Sequence, residues 1–169
     1  EEDSPSSAEA TGWSVAEYVH RAVEQGETED TADLSFVSAE FYVPVLNHSL
    51  QTAYLIGVID RPAFHYDPGE PLEDGNFPEL RSEQAVIRIG RATAVTLPGE
   101  LFPELAVGGY DGSWTPPYWD IFEDEGNLDP PDLAKAPCAP YLLDRMDGDY
   151  KLLLGLTQDF FGYIVPEYD

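Results

Sequence analysis

The sequence predicts an α/β (α+β) layered fold, with a β-sheet and flanking helices, and three observations lead to this prediction. The chain has 169 residues, of which 43% are hydrophobic, which is enough to bury one core. Several short runs are rich in β-branched and aromatic residues, as is typical of strands. Fifteen prolines and fourteen glycines favour many short elements joined by loops over a helical bundle.

The N-terminal part divides into a polar segment and a helix. Residues 1–12 are acidic and rich in serine, and they predict a disordered tail or the remnant of a linker. Ser14 can cap a helix over 15–25, and Gly26 ends it. The predicted helix has one apolar face, formed by Val15, Tyr18, Val19, Ala22 and Val23.

The central part predicts most of the sheet. Residues 34–46 alternate loosely and 52–59 form a second β-rich run, so both are predicted strands. Residues 60–81 contain four prolines and predict a long loop. Residues 84–97 predict a β-hairpin with a two-residue turn at Gly90-Arg91.

The C-terminal part predicts a short helix over 101–107 and a last strand over 151–156, which follows a turn at Asp147-Gly148. Between these elements, residues 108–149 are rich in Gly, Pro, Trp and Tyr and have little periodicity. This stretch is too long for an idle connection, so it predicts an ordered functional loop or an insertion.

Charge and cysteine content exclude several classes of function. The chain has 33 acidic and 8 basic residues, for a net charge of −25. Such a surface repels phosphates, which disfavours nucleic acid and anionic membranes as partners and is typical of a salt-adapted source. Cys138 is the only cysteine, so internal disulfides and cysteine-based zinc clusters are excluded. No apolar run reaches about 18 residues, so no transmembrane segment is predicted.

Two oxygen-bearing side chains end apolar runs and are candidates for a site. Glu100 follows the bend at Pro98-Gly99, and Tyr163 lies near the C-terminal end of the sequence. Taken singly, each is also compatible with a structural role, as a loop carboxylate and a core phenol. The histidines lack the spacing of metal ligands on one element, and they are His20, His48 and His65.

The two candidates lie in segments that together resemble a known family. Residues 86–100 run from Val-Ile-Arg-Ile-Gly to Thr-Leu-Pro-Gly-Glu, and residues 155–168 contain Gly-Leu, Gly-Tyr-Ile and Glu-Tyr. In order and strand context these motifs resemble the neutral/alkaline, non-lysosomal ceramidase family. The resemblance covers residues 13–169 and identifies them as the C-terminal part of a larger ceramidase-like catalytic domain, with a loop insertion at 108–149.

The resemblance implies a zinc-dependent amidohydrolase that cleaves the N-acyl bond of ceramide-like lipids. The family's zinc ligands are two histidines, a glutamate and a tyrosine, and the last two correspond to Glu100 and Tyr163. The histidines and a serine implicated in catalysis belong to an upstream half, so the resemblance implies a partial zinc site and no activity in this chain alone. Catalytic and substrate-binding residues are not assigned. The family also implies a secreted, periplasmic or surface-attached location.

Two departures from the family pattern leave an alternative open. The separation between Glu100 and Tyr163 is longer than is usual in the family, and Leu101-Phe102-Pro103-Glu104 replaces the usual Phe-Thr-Thr. The second change lies near the expected substrate site, so the natural substrate can differ from ceramide. The alternative function is a non-catalytic acidic binding or interaction module that keeps the fold without the chemistry.

Overall fold

The computed structural model describes residues 5–109, 128 and 132–167. The chain divides into two compact units, residues 1–32 and 33–169. The second unit contains a four-stranded mixed sheet, a small two-stranded sheet and several short helices. The predicted α+β fold is therefore confirmed.

The first unit contains the helix α1, Pro5–Gln25. Its end agrees with the prediction, but it begins ten residues earlier and includes most of the segment predicted as a tail. Alanine and glutamate at 8–10 are strong helix formers, and they allow a helix to extend without an apolar face. An ion pair one turn apart supports its last turns, with 3.0 Å between Arg21 Nη2 and Glu17 Oε1.

The large sheet has the strand order β1-β2-β3-β5. Strand β1 (Leu34–Pro44) pairs antiparallel with β2 (Glu79–Ile89), and β2 pairs antiparallel with β3 (Ala92–Thr96). Strand β3 then pairs in parallel with β5 (Tyr150–Leu154). The predicted hairpin and its turn are confirmed, and the turn residue Gly90 has a φ of 55° that favours glycine.

The predicted strand over 52–59 is wrong, because the helix α2 (His48–Leu55) occupies its first half and the second half forms no strand. The Asn47 side chain accepts hydrogen bonds from the backbone N–H groups of Ser49 and Leu50, at 2.9 and 3.1 Å. This N-cap satisfies donors that a helix start leaves unpaired, and it outweighs the β propensity of the residues that follow.

The small sheet consists of β4 (Glu100–Leu101) and β6 (Tyr163–Ile164), which pair in parallel. The helix α3 (Pro103–Val107) follows β4 directly and agrees with the predicted short helix. Its first residue is a proline, which is well suited to the first helical turn because its missing N–H would be unpaired there.

Only the ends of the predicted insertion at 108–149 lie among the described residues. They include a 3-10 turn at Leu133–Lys135 and the helix α4 (Leu142–Arg145). Residues 110–127 and 129–131 lie outside the description, and so do most of the aromatic residues of this segment.

One face of the large sheet is contacted by another segment of the chain, and the other face carries exposed apolar side chains. Register partners share a face, which places Arg88 and Lys151 on one side. There Lys151 Nζ donates to the Leu143 carbonyl at 2.8 Å, and Arg88 pairs with Asp147 at 2.6 Å, so the segment before β5 contacts this face. Five large apolar residues on the other side each expose more than half of their surface. This open face includes Leu34, Phe36, Ile89, Tyr150 and Leu152.

Candidate functional site

The structure brings Glu100 and Tyr163 side by side as register partners of β4 and β6. Neighbouring strands lie about 4.8 Å apart, and register partners direct their side chains to the same face. Two backbone hydrogen bonds hold the pairing, from Glu100 N to the Gly162 carbonyl at 2.8 Å and from Phe102 N to the Ile164 carbonyl at 3.1 Å. Two residues far apart in sequence therefore share one edge.

A glycine makes this close approach possible. A Cβ atom at Gly99 would lie 2.6 Å from the Gly162 carbonyl oxygen and 3.0 Å from Ile164 Cγ1. The first contact is shorter than real Cβ contacts, so the backbone would have to shift, and the second is tighter than most. The Pro98 carbonyl also accepts from Phe161 N at 2.7 Å, so the bend before Glu100 is tied to the chain before Tyr163. The glycine of the Pro-Gly-Glu motif is therefore needed for the close approach of the two strands.

The side chains of the pair are available for binding. Tyr163 is 66% exposed and Glu100 is also exposed. Within the described residues, neither the Glu100 carboxylate nor the Tyr163 hydroxyl has a hydrogen bond or an ion pair. The Tyr163 ring is held edge-on to Phe102, with 6.0 Å between the ring centroids. The orientation of the ring is therefore supported while its hydroxyl stays open.

An apolar cavity of about 460 Å³ lies beside the carboxylate of the pair. Glu100 lines it together with apolar side chains from β4, α3, β5 and the residues shortly after β3 and β5, namely Leu97, Leu101, Pro103, Ala106, Leu153 and Leu156. A charged oxygen at the lip of an apolar cavity is an arrangement that can bind an amphipathic molecule by its polar group.

The three histidines are engaged elsewhere. His20 lies in α1 and faces Glu24 at 3.4 Å, while His48 Nδ1 lies 3.0 Å from Gln51 Oε1. His65 Nδ1 lies 2.6 Å from a Glu79 carboxylate oxygen. Over residues 5–109 and 132–167, no group of three or more His, Cys, Asp or Glu side chains could hold a metal ion.

A polar cluster that sequence reasoning missed lies close to this edge. Both Nη atoms of Arg61 donate to the Asp159 carboxylate, at 2.8 and 2.5 Å, and Nη2 also donates to the Arg81 carbonyl at 2.8 Å. The hydrogen bond from Arg61 lowers the pKa of Asp159 from 3.8 to about 2. The ion pair anchors the chain just before Phe161 and Tyr163.

The available oxygen atoms fit part of a metal site. A glutamate carboxylate is an ordinary zinc ligand, and a phenol binds a metal best as phenolate. Two oxygen ligands leave a tetrahedral zinc ion two ligands short, so this pair alone could supply at most half of such a site.

Comparisons with known proteins add no relative to this picture. No protein-family model, curated protein or solved structure matches the chain. Among the described helices, none combines the length and the apolar character needed to cross a membrane.

Proposed function

We propose that this chain is the C-terminal part of a zinc-dependent amidohydrolase that cleaves the N-acyl bond of ceramide-like lipids. The single observation that carries the proposal is the register of β4 and β6, in which Glu100 and Tyr163 are direct partners. Both residues also lie in the two sequence motifs that resemble the ceramidase family. Their pairing brings two residues that lie far apart in the sequence to one edge.

In this proposal Glu100 and Tyr163 hold zinc together with two histidines from an upstream half of the same protein. Bound zinc would supply a Lewis acid that polarises the amide carbonyl and lowers the pKa of a coordinated water to about 7. Glu100 contributes a charged oxygen, and the contact with Phe102 orients the phenol of Tyr163. The cavity beside Glu100 would hold apolar substrate atoms next to the scissile amide.

The open face of the large sheet supports the proposed larger domain. A sheet face lined by large apolar side chains is stable when another layer covers it. In the proposed domain, the upstream half covers the open face as well as supplying the histidines. A location outside the cytoplasm follows from the family resemblance, and the high acidity agrees with a partner that is neither nucleic acid nor an anionic membrane.

The decisive experiment measures zinc and amidase activity in the protein expressed with its upstream coding sequence. We expect elemental mass spectrometry to find one zinc ion per protein molecule. We also expect the protein to release fatty acid from a fluorescent ceramide. Glu100→Gln and Tyr163→Phe each remove one ligand, and we expect each to weaken zinc binding by at least about 10-fold, the lower limit known for residues that only support ligands. Activity should fall with the zinc content.

Matched controls use the same chemical changes outside the site. Glu73→Gln lies in the exposed segment before β2 and Tyr18→Phe on α1, and both should keep zinc and activity at the wild-type level. Full zinc content in both ligand variants would contradict the proposal. A longer protein that binds ceramide without zinc and without hydrolysis would instead identify the non-catalytic binding module.

A further inference from the structure

We infer that a second pocket of this chain binds a small, uncharged, apolar molecule that carries one hydrogen-bond acceptor oxygen. We call it the Tyr54 pocket; its volume is about 510 Å³, within the range of small-molecule sites. Its lining combines β1, α2, β2 and the segment before β6, with Val43, Leu50, Tyr54, Arg61, Leu80 and Phe161. All of these residues belong to the second unit.

The lining of the pocket is mostly apolar. Val45 is buried at 6% exposure, whereas Leu46 and Phe160 at the rim are 62% and 72% exposed. Exposed apolar side chains that surround a concave apolar surface are typical of a ligand site. An aliphatic chain or a small ring would find contacts along the whole depth of the pocket.

The polar part of the inference rests on the Tyr54 hydroxyl. This oxygen is buried and has no hydrogen-bond partner in the described part of the chain. Buried hydroxyl groups usually have a partner, because an unpaired one loses its hydrogen bonds to water. Burial also raises the pKa of Tyr54, so the group stays protonated and donates. A ligand with an acceptor oxygen would satisfy it.

The charge of the pocket selects against an anionic ligand. Arg61 is the cation in the lining, and the Asp159 carboxylate already neutralises it through two hydrogen bonds of 2.8 and 2.5 Å. A ligand carboxylate would have to compete with Asp159, and it would approach a chain of net charge −25. A neutral amide, ester or alcohol avoids both costs. The inference does not depend on the proposed zinc site, because binding involves this chain alone.

The test measures binding of octanamide and sodium octanoate to the 169-residue chain by isothermal titration calorimetry. The two probes share an alkyl chain and differ in charge. We expect octanamide to bind and octanoate to bind at least about 10-fold more weakly, since an unpaired buried charge is costly. Tyr54→Phe keeps the ring and removes the donor. It should weaken octanamide binding about 5-fold, the value of one ordinary hydrogen bond.

The controls separate recognition from general damage. Tyr150→Phe removes an exposed hydroxyl from β5, far along the chain from the pocket, and it should leave octanamide binding unchanged. Leu50→Trp places a bulky ring at the rim, where Leu50 is 49% exposed, and it should abolish binding even if Tyr54→Phe fails to fold. No octanamide binding, equal binding of both probes, or full affinity in folded Tyr54→Phe would each overturn the inference.

Discussion

The replacement of Gly99 by alanine tests whether close backbone approach holds the candidate site together. The added Cβ would lie 2.6 Å from the Gly162 carbonyl oxygen, which belongs to the backbone and cannot rotate away as a side chain can. It would also lie 3.0 Å from Ile164 Cγ1. The variant can fold only if β4 and β6 move apart.

The cost can be worked out from the contacts that this movement breaks. Two hydrogen bonds join the strands, at 2.8 Å to the Gly162 carbonyl and 3.1 Å to the Ile164 carbonyl. Each contributes about 0.5–1.5 kcal/mol net. Overpacking against Ile164 adds about 1 kcal/mol. We therefore expect Gly99→Ala to lower the free energy of unfolding by about 2–4 kcal/mol. This loss is smaller than the whole stability of an ordinary domain, so the variant should still fold.

The assay is urea unfolding followed by circular dichroism, with the slope of the transition checked against the wild type. The matched control is Gly12→Ala in α1, where the new Cβ meets no atom within 4 Å. That change should stabilise the helix by up to about 1 kcal/mol, because alanine is the better helix former. A Gly99→Ala protein within about 0.5 kcal/mol of the wild type would refute the steric argument.

Two further predictions concern the surroundings of the site. Asp159→Asn removes the partner of Arg61. The pKa of Asp159 is lowered from 3.8 to about 2 in the folded protein. The wild type should therefore be more stable than the variant above about pH 4, and it should lose this advantage as the pH falls through about 2. Urea unfolding of both proteins over this pH range measures the difference in their free energies of unfolding. As a control, Asp147→Asn removes the exposed partner of Arg88 and should change the free energy of unfolding much less. A difference for Asp159→Asn that does not vary with pH would contradict the lowered pKa of Asp159. Asn47→Ala removes the N-cap of α2 and should lower the free energy of unfolding by about 1 kcal/mol in the same assay. Ser49→Ala, the control, should lower it less. Equal losses would show that the Asn47 cap does not stabilise α2.

The parts of the fold that could be predicted are those in which local chemistry and tertiary structure agree. The hairpin at Gly90-Arg91 combines two β-rich runs with a residue that tolerates positive φ. The run at 52–59 shows the limit, since β propensity predicts a strand there while Asn47 caps a helix that includes the first half of the run. A single capping side chain is a weak signal beside several β-favouring residues such as Thr52, Tyr54 and Ile56.

The candidate site shows the same division. Glu100 and Tyr163 could be named because each ends an apolar run within a recognisable motif. Arg61 and Asp159 could not, because each lies in an irregular segment and their pairing spans 98 positions of the chain. No periodicity links such residues, and only the folded backbone brings them together. The hydroxyl of Tyr54 is a similar case, since its isolation depends on burial.

The register of β4 and β6 connects the stability argument with the proposed chemistry. Because side chains alternate between the faces of a strand, a slip of one residue would leave Tyr163 opposite Gly99 or Leu101 and would direct Glu100 and Tyr163 to opposite faces. The Cβ that Gly99→Ala adds would press on the Gly162 carbonyl and so disturb this register, while the Glu100 and Tyr163 side chains stay chemically unchanged. In the protein expressed with its upstream half, Gly99→Ala should therefore lower zinc affinity together with stability. Normal zinc binding in a destabilised Gly99→Ala protein would mean that the two side chains do not act as a pair.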